Sequence, residues 1–147
     1  MTDKSLILKQ KLNSQEKKII EMVIDGLPSE NSRRAYQRHL EEFFIWHASE
    51  NRPELNKALI NRYTKELRHA GLSSANINQK LSAIRKLAAE AEDNNLLDSR
   101  IANGIRAVKG LPQRGRRTGN WLTREEAQIW LNEPDSKTLK GVRDRAI

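Results

Sequence analysis

Apolar residues recur along this chain at the three- and four-residue spacing of helices facing a common core, and no segment alternates as a strand would. From about residue 14 to 25, Ile19, Ile20, Val23 and Ile24 share one face. Asn13 or Ser14 can cap that helix, Glu16 stands three after Asn13, and Gly26 with Pro28 ends it. From about Ser32 to Ser49, Tyr36, Leu40, Phe43, Phe44 and His47 form a second stripe. A third helix is expected from Lys57 to Ala70, with Asn56 as cap, Leu59, Ile60, Tyr63 and Leu67 inward, and Gly71 as the stop. The fourth starts after Ser73 or Ser74 and runs to about Asp93, with Ile77, Leu81, Ile84, Ala88 and Ala91 on one line. The fifth, from about Ser99 to Lys109, turns Ile101, Ile105 and Val108 inward and ends at Gly110 and Pro112.

Residues 111–120 break the pattern. Three arginines, two glycines and a proline in ten positions read as a basic linker and a domain boundary. Beyond it, Thr123 and Glu126 have capping-box spacing at the head of a helix carrying Ala127, Trp130 and Leu131, which Pro134 breaks. The segment from Lys137 to Ile147 looks like a helix cut short. The expected fold is therefore all-α. A single-helix extension (1–28) precedes a compact helical domain (29–110), the linker (111–120) and the truncated start of a second domain (121–147).

Charge sharpens this picture. Among 147 residues, 27 Lys and Arg against 19 Asp and Glu leave a net +8. Four bases and no acid lie between Glu66 and Glu90, and six bases and no acid between Asp98 and Arg124. Acid-free basic segments suit a surface that faces phosphates. Arg33, Arg34 and Arg38 stand near a helix start, where cations oppose the helix dipole, so they are expected to answer to a partner. On the fourth helix, Asn76, Gln79, Lys80, Ala83 and Lys86 lie opposite the apolar line, flanked by Asn78, Ser82 and Arg85. Amides can pair with adenine edges and Lys or Arg with guanine, so this face fits a major groove.

Other chemistries find little support. The chain has no cysteine, which excludes disulfides, thiolate zinc sites and cysteine nucleophiles. His39, His47 and His69 lack ligand spacing with carboxylates and are expected at the surface or at stripe edges. Tyr36 and Tyr63 lie on apolar stripes, as core residues do. There is no glycine-rich phosphate loop, and no metal or cofactor is expected. The apolar run Phe43–Trp46 is far too short for a membrane span, and the first residues lack a signal-peptide pattern. A cytoplasmic chain with no membrane partner is expected.

Several segments resemble the tyrosine recombinases, or phage integrases. Ser29-Glu30-Asn31-Ser32-Arg33-Arg34-Ala35-Tyr36 is similar to the family's S-x-N-T-x-x-A-Y opening, with Ser32 in place of Thr, and Leu40-Glu41-Glu42-Phe43 to its L-x-x-F. The stretch from Gly71 to Arg85 resembles G-L-S-x-x-T-I-N-x-x-L-S-A-I-R, with Asn76 in place of Thr. Leu122–Ala127 and Lys140–Ile147 look like the first helices of the catalytic domain. The resemblance implies a SAM-like core-binding domain forming one half of a clamp around duplex DNA. It also implies a parent that breaks and rejoins DNA through a phosphotyrosine, and contacts to other recombinase protomers in the full-length protein. The family's catalytic residues are expected beyond residue 147, so this fragment is expected to be inactive and monomeric. Phosphate contacts are then assigned to Arg33, Arg34, Arg38, Arg106, Lys109, Arg114, Arg116 and Arg117. Base contacts are assigned to Asn76, Asn78, Gln79, Lys80, Ser82 and Arg85, with Lys86 on the same face. The alternatives are a non-catalytic helical DNA-binding module and a helical protein-interaction domain.

Overall fold

The computed structural model describes residues 12–113 and 123–132. Six helices account for the regular structure among them: α1 (Ser14–Asp25), α2 (Glu30–Ser49), α3 (Lys57–His69), α4 (Ser74–Asp93), α5 (Ser99–Arg106) and α6 (Arg124–Asn132). The chain divides into two compact units at Gln113/Arg114, α1 to α5 in the first and α6 in the second.

Every described helix except α2, whose N-cap Ser29 makes no side-chain bond, begins where a short polar side chain satisfies a free N–H of its first turn. Asn13 Oδ1 accepts from the Glu16 N–H at 2.7 Å, and Glu16 Oε2 accepts in return from the Asn13 N–H at 2.9 Å, a closed capping box. Asn56 caps α3 through the Leu59 N–H at 2.8 Å. Asp98 caps α5 through the Arg100 N–H at 2.8 Å. Ser73 caps α4 more weakly, at 3.3 Å from the Asn76 N–H. Gly71 ends the turn after α3 at φ +85°, a backbone region that costs an L side chain energy and glycine almost nothing. In the second unit the Thr123 and Glu126 box forms, with Glu126 Oε2 accepting from the Thr123 N–H at 2.7 Å.

The first unit is built around α4, which packs against α1, α2, α3 and α5. Its apolar line, Ile77, Leu81, Ile84 and Ala88, is buried, and so are Ala83 and Leu87 on its other sides. Leu40, Phe43 and Phe44 of α2, Ile60 and Tyr63 of α3, and Ala102 and Ile105 of α5 close the core, with Val108 just beyond α5. Phe43 contacts Tyr63 edge to face at 5.2 Å. α1 contributes Ile20 and Val23 to the same core, so it is an integral helix of the bundle. An apolar recess of about 230 Å³ remains between α1 and the core, with the Glu16–Arg52 ion pair on its rim.

One expectation about histidine is corrected here, that for His39, while His47 lies on the apolar stripe where its spacing placed it. His39 and His47 are buried. His47 stacks on Phe43 and donates from Nε2 to the Pro53 carbonyl at 2.7 Å, which ties the corner after α2. His39 lies beside Lys80, described below.

Candidate nucleic-acid interface

The cations assigned to phosphates fall into distinct settings. Arg38 on α2 and Lys109 after α5 are exposed, with no ion pair among the described residues. Arg34 is exposed and pairs with Glu30 one turn back at 3.3 Å, an interaction that water screens and a phosphate can replace. Arg33 is half-buried and donates from Nε to the Leu27 carbonyl at 2.8 Å, bracing the turn before α2. Arg106 is held by Glu92 and by Asn103 Oδ1. Arg114, Arg116 and Arg117 lie outside the described residues. Arg68 at the end of α3 and Arg100 at the start of α5 are also exposed without an ion pair among the described residues. Both stand in the acid-free segments, which was the signal for including them.

The face of α4 assigned to base edges divides in two. Asn76, Gln79 and Ser82 are exposed, with Ser82 Oγ bonded back to the Asn78 carbonyl at 3.0 Å. Lys80 is not on that face. Its side chain is buried, paired with Glu42 of α2, with Nζ 3.4 Å from His39 Nδ1. The expectation that it reads a base is corrected on that ground: a buried, paired ammonium is withdrawn from a groove. Asn78 and Arg85 are also committed, to the backbone of Leu111 and Val108 respectively. Lys86 pairs with Glu90 at 2.7 Å, and that bond holds its ammonium above the usual lysine range.

Tyr63 is held as a core residue. Burial, then the Glu42 charge, push the Tyr63 phenol well above its ordinary value, so it stays protonated between Phe43 and Trp46. No group of His, Asp and Glu among the described residues could hold a metal ion. No described helix is long and apolar enough to cross a membrane. What the surface offers is a polar, amide-bearing strip on α4 and several cations with no ion pair among the described residues.

Comparison with known proteins gives these features a setting. A tyrosine recombinase of Synechococcus elongatus is 30% identical over 145 residues, covering 90% of this chain and 44% of that protein. The chain therefore spans less than half the length of that relative. No solved structure matches. Residues 21–95, from the middle of α1 to just past α4, match the family described as phage integrase, N-terminal SAM-like domain. That match takes in just over half the chain, including all of α2, α3 and α4, and on it the chain belongs to the tyrosine recombinase, or phage integrase, family.

Proposed function

We propose that this chain is the DNA-binding N-terminal portion of a site-specific tyrosine recombinase. In this reading residues up to Gln113 form the core-binding part, and residues 121–147 begin the catalytic part. The match over residues 21–95 carries the reading. Exposed Arg38, Arg68, Arg100 and Lys109 support it, since each can neutralise a phosphate without first giving up a carboxylate. Arg34 joins them by exchanging a weak surface pair for a phosphate. Arg114, Arg116 and Arg117 extend the charge along the sequence. Asn76, Gln79 and Ser82 are the side chains of α4 available to base edges. Strand breakage and rejoining, and contacts with other protomers, are proposed for the whole recombinase and draw on no described side chain.

The test is binding of the 147-residue chain to a 30-base-pair duplex followed across salt concentrations. Affinity should fall steeply with salt, by about 10³-fold or more between 50 and 200 mM if six phosphates are engaged. A salt dependence no steeper than one or two phosphate contacts would favour the protein-interaction reading instead.

A further inference from the structure

Asn78 and Leu111 are 33 residues apart, yet their polar groups are matched as two neighbouring strands would match them. Asn78 Nδ2 donates to the Leu111 carbonyl at 2.8 Å, and the Leu111 N–H donates to Asn78 Oδ1 at 2.8 Å. A carboxamide is suited to this among side chains of its size, because it offers a donor and an acceptor side by side. Two turns further along α4, Arg85 donates from Nη2 to the Val108 carbonyl. Gly110 lies between the two attachments. A Cβ there would stand 3.0 Å from Asn78 Oδ1, so an alanine would crowd that oxygen and push the carboxamide by a few tenths of an ångström. Val108 is buried in the core just before, and Pro112, with no N–H of its own to satisfy, comes just after. Residues 108–111 are thus strapped along α4 at both ends, by two side chains that sequence reasoning had assigned to bases.

We infer that Asn78 and Arg85 are positioning residues, which strap the chain leaving α5 onto α4 and fix the point from which the basic segment Arg114–Arg117 departs. The strap stands on its own geometry; its consequence for DNA rests on the duplex-binding reading above. An anchored departure point raises the effective concentration of the linker arginines at a duplex lying on α4, compared with an unanchored tether. It also lowers the ordering cost of binding.

The experiment has two arms on the full 147-residue chain. The first follows amide hydrogen exchange by NMR in the wild type, Asn78→Ala and Gly110→Ala. Leu111 should be protected in the wild type. In both variants it should exchange at least about tenfold faster, while Leu81 and Ile84 in the core of α4 keep their protection. Ala at 78 removes both the acceptor of the Leu111 N–H and the donor to its carbonyl, whereas Ala at 110 leaves Asn78 intact and crowds it. An unprotected Leu111 in the wild type, or full protection in both variants, would overturn the strap. The second arm measures duplex affinity for Asn78→Ala alone and in a background with Arg114, Arg116 and Arg117 all changed to Ala. The single variant should lose about fivefold on every sequence, and the loss should vanish in the arginine-free background. A loss that persists there, or that is confined to one DNA sequence, would make Asn78 a direct contact and overturn the positioning role. Failure of the wild type to bind any duplex would sink the DNA reading, leaving the exchange arm to judge the strap alone.

Discussion

Lys80 of α4 and Glu42 of α2 form an ion pair whose lysine is 6% exposed and whose glutamate is 47% exposed. The pair is therefore asymmetric: Glu42 can rehydrate if its partner is lost, but Lys80 cannot. Glu42→Gln should destabilise the bundle by about 1–3 kcal/mol, below the range for fully buried pairs because one partner faces water. Lys80→Met should be near neutral, since a flexible apolar side chain fills the same space without a charge to desolvate. Urea unfolding of the two variants checks this order. Duplex affinity of Lys80→Met should match the wild type, because the ammonium is turned inward. A folded Lys80→Met that loses affinity for DNA would return Lys80 to the interface.

That pair also shows what could and could not be read from the sequence. Helix starts were legible, because Asn13, Asn56, Ser73 and Thr123 carry their capping chemistry within three residues. The apolar lines were legible for the same reason: they depend on local spacing. α4 misled because it is central. A helix packed on several sides buries more than one stripe, so Lys80 and Ala83 read as a solvent face although both are buried. Their surroundings are set by residues far along the chain, Glu42 for Lys80 and Leu111 for Asn78. No local period carries that information. His39 escaped in the same way, since its burial depends on α4 arriving beside it.

Exposed cations should separate from strapped ones in their response to salt. Arg38→Ala and Lys109→Ala should each weaken binding equally on all duplexes and lower the salt slope by about one. Arg33→Ala should behave differently, because its Nε bond to the Leu27 carbonyl holds the turn before α2. Its main effect should be a loss of stability of about 1 kcal/mol. Fluorescence anisotropy at four salt concentrations, paired with thermal unfolding, distinguishes the two classes. An unchanged slope for both Arg38→Ala and Lys109→Ala would remove them from the interface.

The cap of α1 should matter beyond its own helix. Asn13 and Glu16 close the capping box, and Glu16 Oε1 also accepts from Arg52 Nε at 3.2 Å, joining the start of α1 to the corner after α2. Asn13→Ala should cost about 1 kcal/mol, equivalent to a fall of roughly 3 °C in Tm for a chain of this size. Asn13→Ser, which restores an acceptor, should recover most of it. If α1 were an appendage, neither change would move the main unfolding transition. Because Ile20 and Val23 are in the shared core, Asn13→Ala should lower it and Asn13→Ser should bring it back.

His39 makes the bundle's stability depend on pH. Burial first, then the charges of Lys80 and Arg38, hold its pKa below the ordinary 6.5, while Glu42 opposes them weakly. Lys80 Nζ approaches Nδ1, and Nε2 is buried without a partner, so a second ring proton would find no acceptor among the described residues. The unfolded chain takes up a proton near pH 6.5 and the folded chain only at lower pH. Between those two values the unfolded state binds more protons, so stability rises with pH across that window. Lowering the pH from 7.5 should therefore leave stability unchanged until about 6.5, and then reduce it down to the folded-state pKa. The measurement is the urea midpoint at pH 7.5, 6.5 and 5.5 for the wild type and His39→Gln. The wild-type midpoint should fall between 6.5 and 5.5, and the variant's should fall less. A wild-type midpoint constant over that interval, or an equal fall in both proteins, would mean that His39 is not the group responsible.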